Sequence, residues 1–295
     1  MKREGTTEIQ DATPQGSETV EQAVVNTVLN SRPLDHGLPG AGWTLKKLRE
    51  WFAQHFGHPP GKTTLHKLLC GAGLSWKKCK KLLGKASPTK RADYLEQFAT
   101  LYQQMVRGEV RVIYVDESHF HRDLDLGYTW SLCGRPAWRV SDCPSLSQRI
   151  NWYGAYDFTG GQCLLWQDGP CNQQQTAAFL RRLAAWVPAD GCRVVVIWDG
   201  APWHRAQAVQ TLAAELGLEI CQLPSYSPDF NPIEGLWKWM RECVLQHQCH
   251  ATLDALHTAC LTFLEHINQS PLALIDRLWP RFELDPEVEK LRFSM

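Results

Sequence analysis

Several features are missing from this sequence, and each absence excludes something. No apolar stretch approaches the length of a membrane span, because the fully apolar runs are short, as in "VVVIW" at 194–198. The opening "MKREGTTEIQDATPQGSETV" is polar and mixed in charge, without the apolar centre of a secretion signal. The eleven cysteines form no CxxC pair and keep no regular spacing, so they read as reduced, mostly buried thiols of a cytoplasmic protein. There is no internal repeat and no low-complexity tract. No glycine-rich phosphate loop follows either of the two most apolar strands, which argues against a nucleotide-binding enzyme.

Net charge is missing only in the sum. The 295 residues hold 31 basic and 31 acidic side chains. Between 41 and 91 there are twelve Lys or Arg and one acid, 12 − 1 = +11. Residues 1–40 give 3 − 6 = −3 and residues 92–295 give 16 − 24 = −8. A basic module joined to an acidic body points to an anionic polymer as partner, DNA above all.

The basic module has helical periodicity. A polar tail and short helix occupy 1–36, and "GLPGAG" then breaks the chain. "WTLKKLREWFAQHFG" places Leu45, Leu48, Phe52 and Phe56 on one stripe. After the turn "HPPGK", Thr63 is expected to cap a second helix whose Leu65, Leu68 and Leu69 face inward. Thr64, His66 and Lys67 are then free to face outward, beside Lys62. "LSWKKCKKLLGK" continues with Trp76, Lys77, Lys78, Lys80 and Lys81. Helix, tight turn, helix and basic extension is the layout of a small all-α winged helix-turn-helix over 37–90, with those residues as DNA contacts. The plainer reading, a helical hairpin with a solvated lysine face, does not account for the charge excess. A polar helix over 91–110 is expected to link this module to the body.

From 111 to 246 the pattern becomes α/β. "VRVIYVDES" and "CRVVVIWDG" are apolar runs ending in Asp116 and Asp199, each read as a strand buried on both faces. "YTWSLCG", "AWRV", "INWYGAYDF" and "QCLLWQ" are expected as antiparallel strands beside the first. At the carboxyl edge of an open α/β sheet, two neighbouring carboxylates repel unless a cation lies between them. Glu117 is expected to face away from Asp116 by strand alternation.

A third carboxylate, Glu234, has two readings. In "SPDFNPIEGLW" Asn231 suits an N-cap and Pro232 the first helical position, which makes Glu234 a helix-start residue reaching back to the cap. Alternatively, Glu234 lies at the edge of the face formed by Ile233, Trp237, Met240 and Val244, with Lys238 and Arg241 beside it. There it completes a site for two Mg²⁺ ions, Mn²⁺ substituting, with the cations holding a phosphate backbone. Three such acids on a mixed sheet suggest a ribonuclease H-like catalytic domain.

With "VDES", "YTWSLCGRP", "WDGAPWH" and "LPSYSPDFNPIEGLW" in order, and 34 residues between Asp199 and Glu234 (234 − 199 − 1), the chain resembles bacterial insertion-sequence transposases of the mariner superfamily. The resemblance covers about 37–280. It implies a catalytic and metal-binding triad of Asp116, Asp199 and Glu234, with His204 and Asn231 as supporting candidates. It also implies cleavage at transposon terminal inverted repeats in double-stranded DNA, strand transfer into target DNA at TA, and a homodimer in the cytoplasm on the nucleoid, with no membrane partner. Residues 247–295 would add C-terminal helices and a tail. Relatives carry two helix-turn-helix units and one is found here, so a truncated or domesticated DNA-binding protein without cleavage activity is the alternative. Two decoys are set aside: the DxD pair Asp123 and Asp125, and the zinc-like cluster Cys243, His247, Cys249 and His250.

Overall fold

The computed structural model describes residues 19–77, 85–143 and 145–279. Contacts divide the chain into two units, Met1–Lys81 and Leu82–Met295.

The first unit is helical. Helix α1 (Val20–Asn30) opens with a capping box between Thr19 and Gln22, α2 is Leu45–Phe56 and α3 is Lys62–Gly71. Val24 of α1 is fully buried with Leu48, Trp51 and Phe52 of α2 and Leu65 of α3. Trp43 donates its indole N–H to the Ser31 carbonyl at 2.8 Å and ties the α1 end to the α2 start. So α1 belongs to the core of the basic module and is not merely part of a polar tail. Thr44 caps α2, whereas α3 starts after Gly61 with no side-chain cap. Thr63 lies one residue inside α3 and does not cap it.

The second unit is a five-stranded mixed sheet in the order β3-β2-β1-β4-β5. Its strands are β1 (Val110–His121), β2 (Arg149–Asp157), β3 (Gln162–Trp166), β4 (Arg193–Trp198) and β5 (Leu218–Gln222). β1, β2 and β3 run antiparallel to one another, while β4 and β5 are parallel to β1. Helices cover both faces, which is why Val112–Val115 of β1 and Val194–Trp198 of β4 are continuous apolar runs. Ile113, Val115, Val196 and Trp198 pack against α5 (Gln173–Trp186) and α6 (Gln207–Glu215). Val112, Tyr114 and Ile197 face the opposite cluster, built from α4 (Pro88–Val106), α7 (Ile233–Met240), α8 (Leu253–Asn268) and α9 (Pro271–Leu278). This is the ribonuclease H-like α/β architecture expected from the sequence.

Three expectations change. The polar helix expected as a linker is α4, and it buries Tyr94, Leu95, Phe98 and Leu101 against the sheet cluster. β1 does not end at Asp116 but runs on to His121, paired with β2 alone. "YTWSLCG" and "AWRV" are not strands. Tyr128, Trp130, Trp138 and Val140 there are almost fully exposed. The side of β1 that the antiparallel strands were expected to line is taken by β2 along Ile113–His121, and β3 follows β2 outward.

Candidate active site

The site forms where the parallel part of the sheet stops. The β1–β4 ladder ends at Tyr114 opposite Ile197. Two residues further on, the same register sets Asp116 opposite Asp199, which immediately follows β4. Asp116 accepts a hydrogen bond on Oδ2 from Trp237 Nε1 at 2.9 Å. Trp237 sits on α7 one turn after Glu234, so one helix presents a carboxylate and steadies another.

Glu234 is not held as a cap. The N-cap of α7 is Pro232, with no side-chain capping bond. Asn231 instead turns inward, 5% exposed, and donates Nδ2–H to the Val115 carbonyl at 3.3 Å. Among the described residues its Oδ1 has no partner. A buried orphan acceptor beside the Asp116 backbone is a polar atom awaiting a ligand, water or ion.

The electrostatics are those of crowded acids. Burial pushes the Asp116 carboxyl well above the usual carboxylate range, and the charges of Glu234 and Glu117 add to it. Burial also raises Glu234, with the Asp199 charge second. Asp199 is shifted the other way, lowered chiefly by the hydrogen bond from His204.

His204 joins two carboxylates. Its Nδ1 lies 2.8 Å from Asp199 Oδ1 and its Nε2 lies 2.8 Å from Glu117 Oε1. The imidazole is 1% exposed and stacks on Trp198 at 4.3 Å. Burial alone would lower its pKa, but the two carboxylates reverse that and push it up to about 9. Sequence reasoning included His204 but set Glu117 aside because it faces away from Asp116. That orientation is correct, and it is what brings Glu117 to His204.

The donor set suits a hard divalent cation: carboxylate oxygens, an amide oxygen and mutual repulsion that a cation relieves. Asp116, Asp199, Glu234 and the Asn231 Oδ1 are the atoms that would hold it. Among the described residues, no three His, Cys, Asp or Glu side chains are gathered tightly enough to share one ion as they stand. Asp199 Oδ1 is also engaged by His204 and by the Ala201 N–H at 3.0 Å. Cys243, His247, Cys249 and His250 form no such group either.

The expected DNA contacts fall into three sets. Lys62, Thr64, His66 and Lys67 are all exposed on α3, and Trp76 and Lys77 are exposed just beyond it. Lys78, Lys80 and Lys81 lie outside the described residues. On α7, Lys238 is exposed and weakly paired with Glu242 at 3.8 Å. Arg241 is differently engaged: it donates to the His119 carbonyl and lies over Phe120 at 4.6 Å.

Residues 111–257 match the family described as DDE superfamily endonuclease, and residues 39–98 match the winged helix-turn helix family. The chain belongs to the DDE endonuclease superfamily. Among solved structures, this DDE protein is similar to the Mos1 mariner paired-end complex with Mn (18% identity, 97% of this chain and 81% of that chain, TM-score 0.62). It is also similar to the Mos1 strand transfer complex (17% identity, 96% of this chain and 81% of that chain, TM-score 0.59). At such identity the likeness is one of fold, and the fold is that of a mariner transposase. A curated relative, the uncharacterized protein y4pE/y4sA of Sinorhizobium fredii (strain NBRC 101917 / NGR234), is 32% identical over 71 residues. That match spans 24% of this chain and half the length of the relative.

Proposed function

We propose that this DDE-superfamily protein is a divalent-metal-dependent DNA transposase that cleaves transposon ends and transfers the freed strand into target DNA. The reading is supported by Asp116 and Asp199 lying just past the end of the parallel β1–β4 ladder, with the charge of Glu234 acting on Asp116 and that of Asp199 acting on Glu234. Asp116, Asp199 and Glu234 would be the residues that hold the ions. Two Mg²⁺ ions, with Mn²⁺ as substitute, would lower the pKa of an attacking oxygen and stabilise the leaving one. The chain's own part is to place ligands: Trp237 fixes Oδ2 of Asp116, and Asn231 offers its orphan Oδ1. The exposed Lys238 side chain faces solvent one turn along α7 from Glu234, where it can meet a phosphate.

The DNA partner is supported by the +11 charge of residues 41–91 and by the fold neighbours, which are titled as paired-end and strand transfer complexes. A homodimer is supported by the aromatic segment around Tyr128, Trp130 and Trp138, whose exposure is costly for a lone copy in water. Insertion at TA is carried over from the family resemblance. Among the described residues no helix is long and apolar enough to cross a membrane, and a DNA-binding role would bring the protein to the nucleoid.

The deciding experiment is a strand-cleavage assay on DNA carrying the element's own ends, with Mg²⁺ or Mn²⁺, comparing wild type with Glu234→Gln. Metal-dependent nicking that disappears in the variant supports the reading. Tight binding without cutting by the wild type would favour the alternative, a DNA-binding protein that no longer cleaves.

A further inference from the structure

Glu117 is an expensive residue for its position. Its side chain is only 10% exposed, on the face of β1 opposite Asp116, beside Trp203 and His204, where packing alone would be served as well by a leucine. Both of its hydrogen bonds fall on one oxygen, Oε1: Trp203 Nε1 donates at 3.1 Å and His204 Nε2 lies at 2.8 Å.

The far side of the imidazole shows the use. The ring is held flat on Trp198 with 3° between the planes, and its Nδ1 also lies 3.2 Å from the Asp199 backbone carbonyl. Its Nδ1 therefore meets Asp199 Oδ1 from a fixed direction, and the Ala201 N–H meets the same oxygen. Asp199 itself is 56% exposed at the end of β4, with little packing to choose its rotamer. Two bonds on Oδ1 select one rotamer and leave Oδ2 as the oxygen that can be presented to an ion.

We propose that Glu117 is a positioning residue: through His204 it sets the direction in which the Asp199 carboxylate is offered to the metal ion. This rests on the metal-dependent reading above. Partners that orient a ligand from behind commonly change metal affinity by about 10–100-fold when removed.

The test is Mn²⁺ binding to the full chain, read by the electron paramagnetic resonance signal of free Mn²⁺, without DNA and without turnover. Glu117→Leu is expected to weaken binding by about 10–100-fold. Glu117→Gln keeps an amide that can pair with His204 and should stay within about threefold of wild type. His204→Phe preserves the ring stacked on Trp198 but has neither nitrogen, so it should match Glu117→Leu, and the double variant should be no worse than either. It also decides the matter should Glu117→Leu fail to fold by circular dichroism. Wild-type affinity in His204→Phe or in folded Glu117→Leu overturns the proposal. A loss in Glu117→Gln as large as in Glu117→Leu also overturns it, by making Glu117 a direct ligand. Absence of Mn²⁺ binding by the wild type is a different failure, that of the metal-dependent reading itself.

Discussion

Gly154 lies directly opposite Asp116 in the β1–β2 ladder, and its missing side chain is what lets Trp237 reach the Asp116 carboxylate. A Cβ at Gly154 would sit 2.4 Å from Trp237 Cη2 and 2.6 Å from Cζ2. Neither partner can yield cheaply, since one is sheet backbone and the other a buried indole. Gly154→Ala is expected to cost about 1–3 kcal/mol by overpacking and to swing the indole away from Asp116. Thermal melting and the cleavage assay together check this; unchanged cleavage would mean that the Trp237 bond is dispensable.

Trp237→Phe removes the donor while keeping most of the ring. We expect a folded protein whose cleavage falls about tenfold, because the bond that steadies Oδ2 of Asp116 is lost. The comparison needs equal melting temperatures to be meaningful, and DNA binding should be unaffected.

Asp199→Asn should abolish cleavage and leave DNA binding nearly intact, since the basic residues on α3 belong to the other unit of the chain. Loss of binding together with cleavage, measured by gel shift and nicking on one DNA, would contradict this separation of roles.

His204 predicts a pH dependence. Its folded value of about 9 lies above the ordinary 6.5, so its contribution to stability is fully present below about pH 6.5 and is lost as the pH rises through about 9. Chelator-treated protein should therefore melt at a lower temperature at the alkaline end of that window than at the neutral end. His204→Phe should flatten the profile over the same interval; an equal slope in both proteins would remove the basis for a charged imidazole there.

On α3, Lys62→Ala together with Lys67→Ala should weaken binding to all DNA sequences alike. Each lost phosphate contact lowers the slope of log affinity against log salt by about 0.9, so the pair should reduce it by about 2. A slope unchanged by both substitutions would mean that this exposed face does not meet the phosphates.

The sequence exposed the catalytic frame because buried strands and a helix face leave periodic signatures. Asp116 and Asp199 follow apolar runs, and Ile233, Trp237, Met240 and Val244 are all buried as the 3.6-residue pattern requires. What stayed hidden was decided at long range. The exposed aromatics between 126 and 140 look like strand residues locally, yet β2 and β3 are the strands that line that side of β1. Asn231 has the composition of a helix cap, yet a carbonyl from β1 takes its amide. Glu117 and Trp237 are tied to residues 87 and 121 positions away. One local signal was available for the second of these: a glycine inside an otherwise apolar strand marks close approach of another group.

The adjacent acids of β1 make the end of the sheet a partition between two negatively charged compartments. On the α6 side, Glu117 is neutralised by a cation that the chain carries within itself, His204. On the α7 side, Asp116 has hydrogen bonds from the Trp237 indole and the Glu117 backbone but no cation of the chain paired with it among the described residues. On the metal-dependent reading proposed above, divalent ions would supply the charge on the second side, and a chelator would leave the Glu117–His204 pairing of the first side in place.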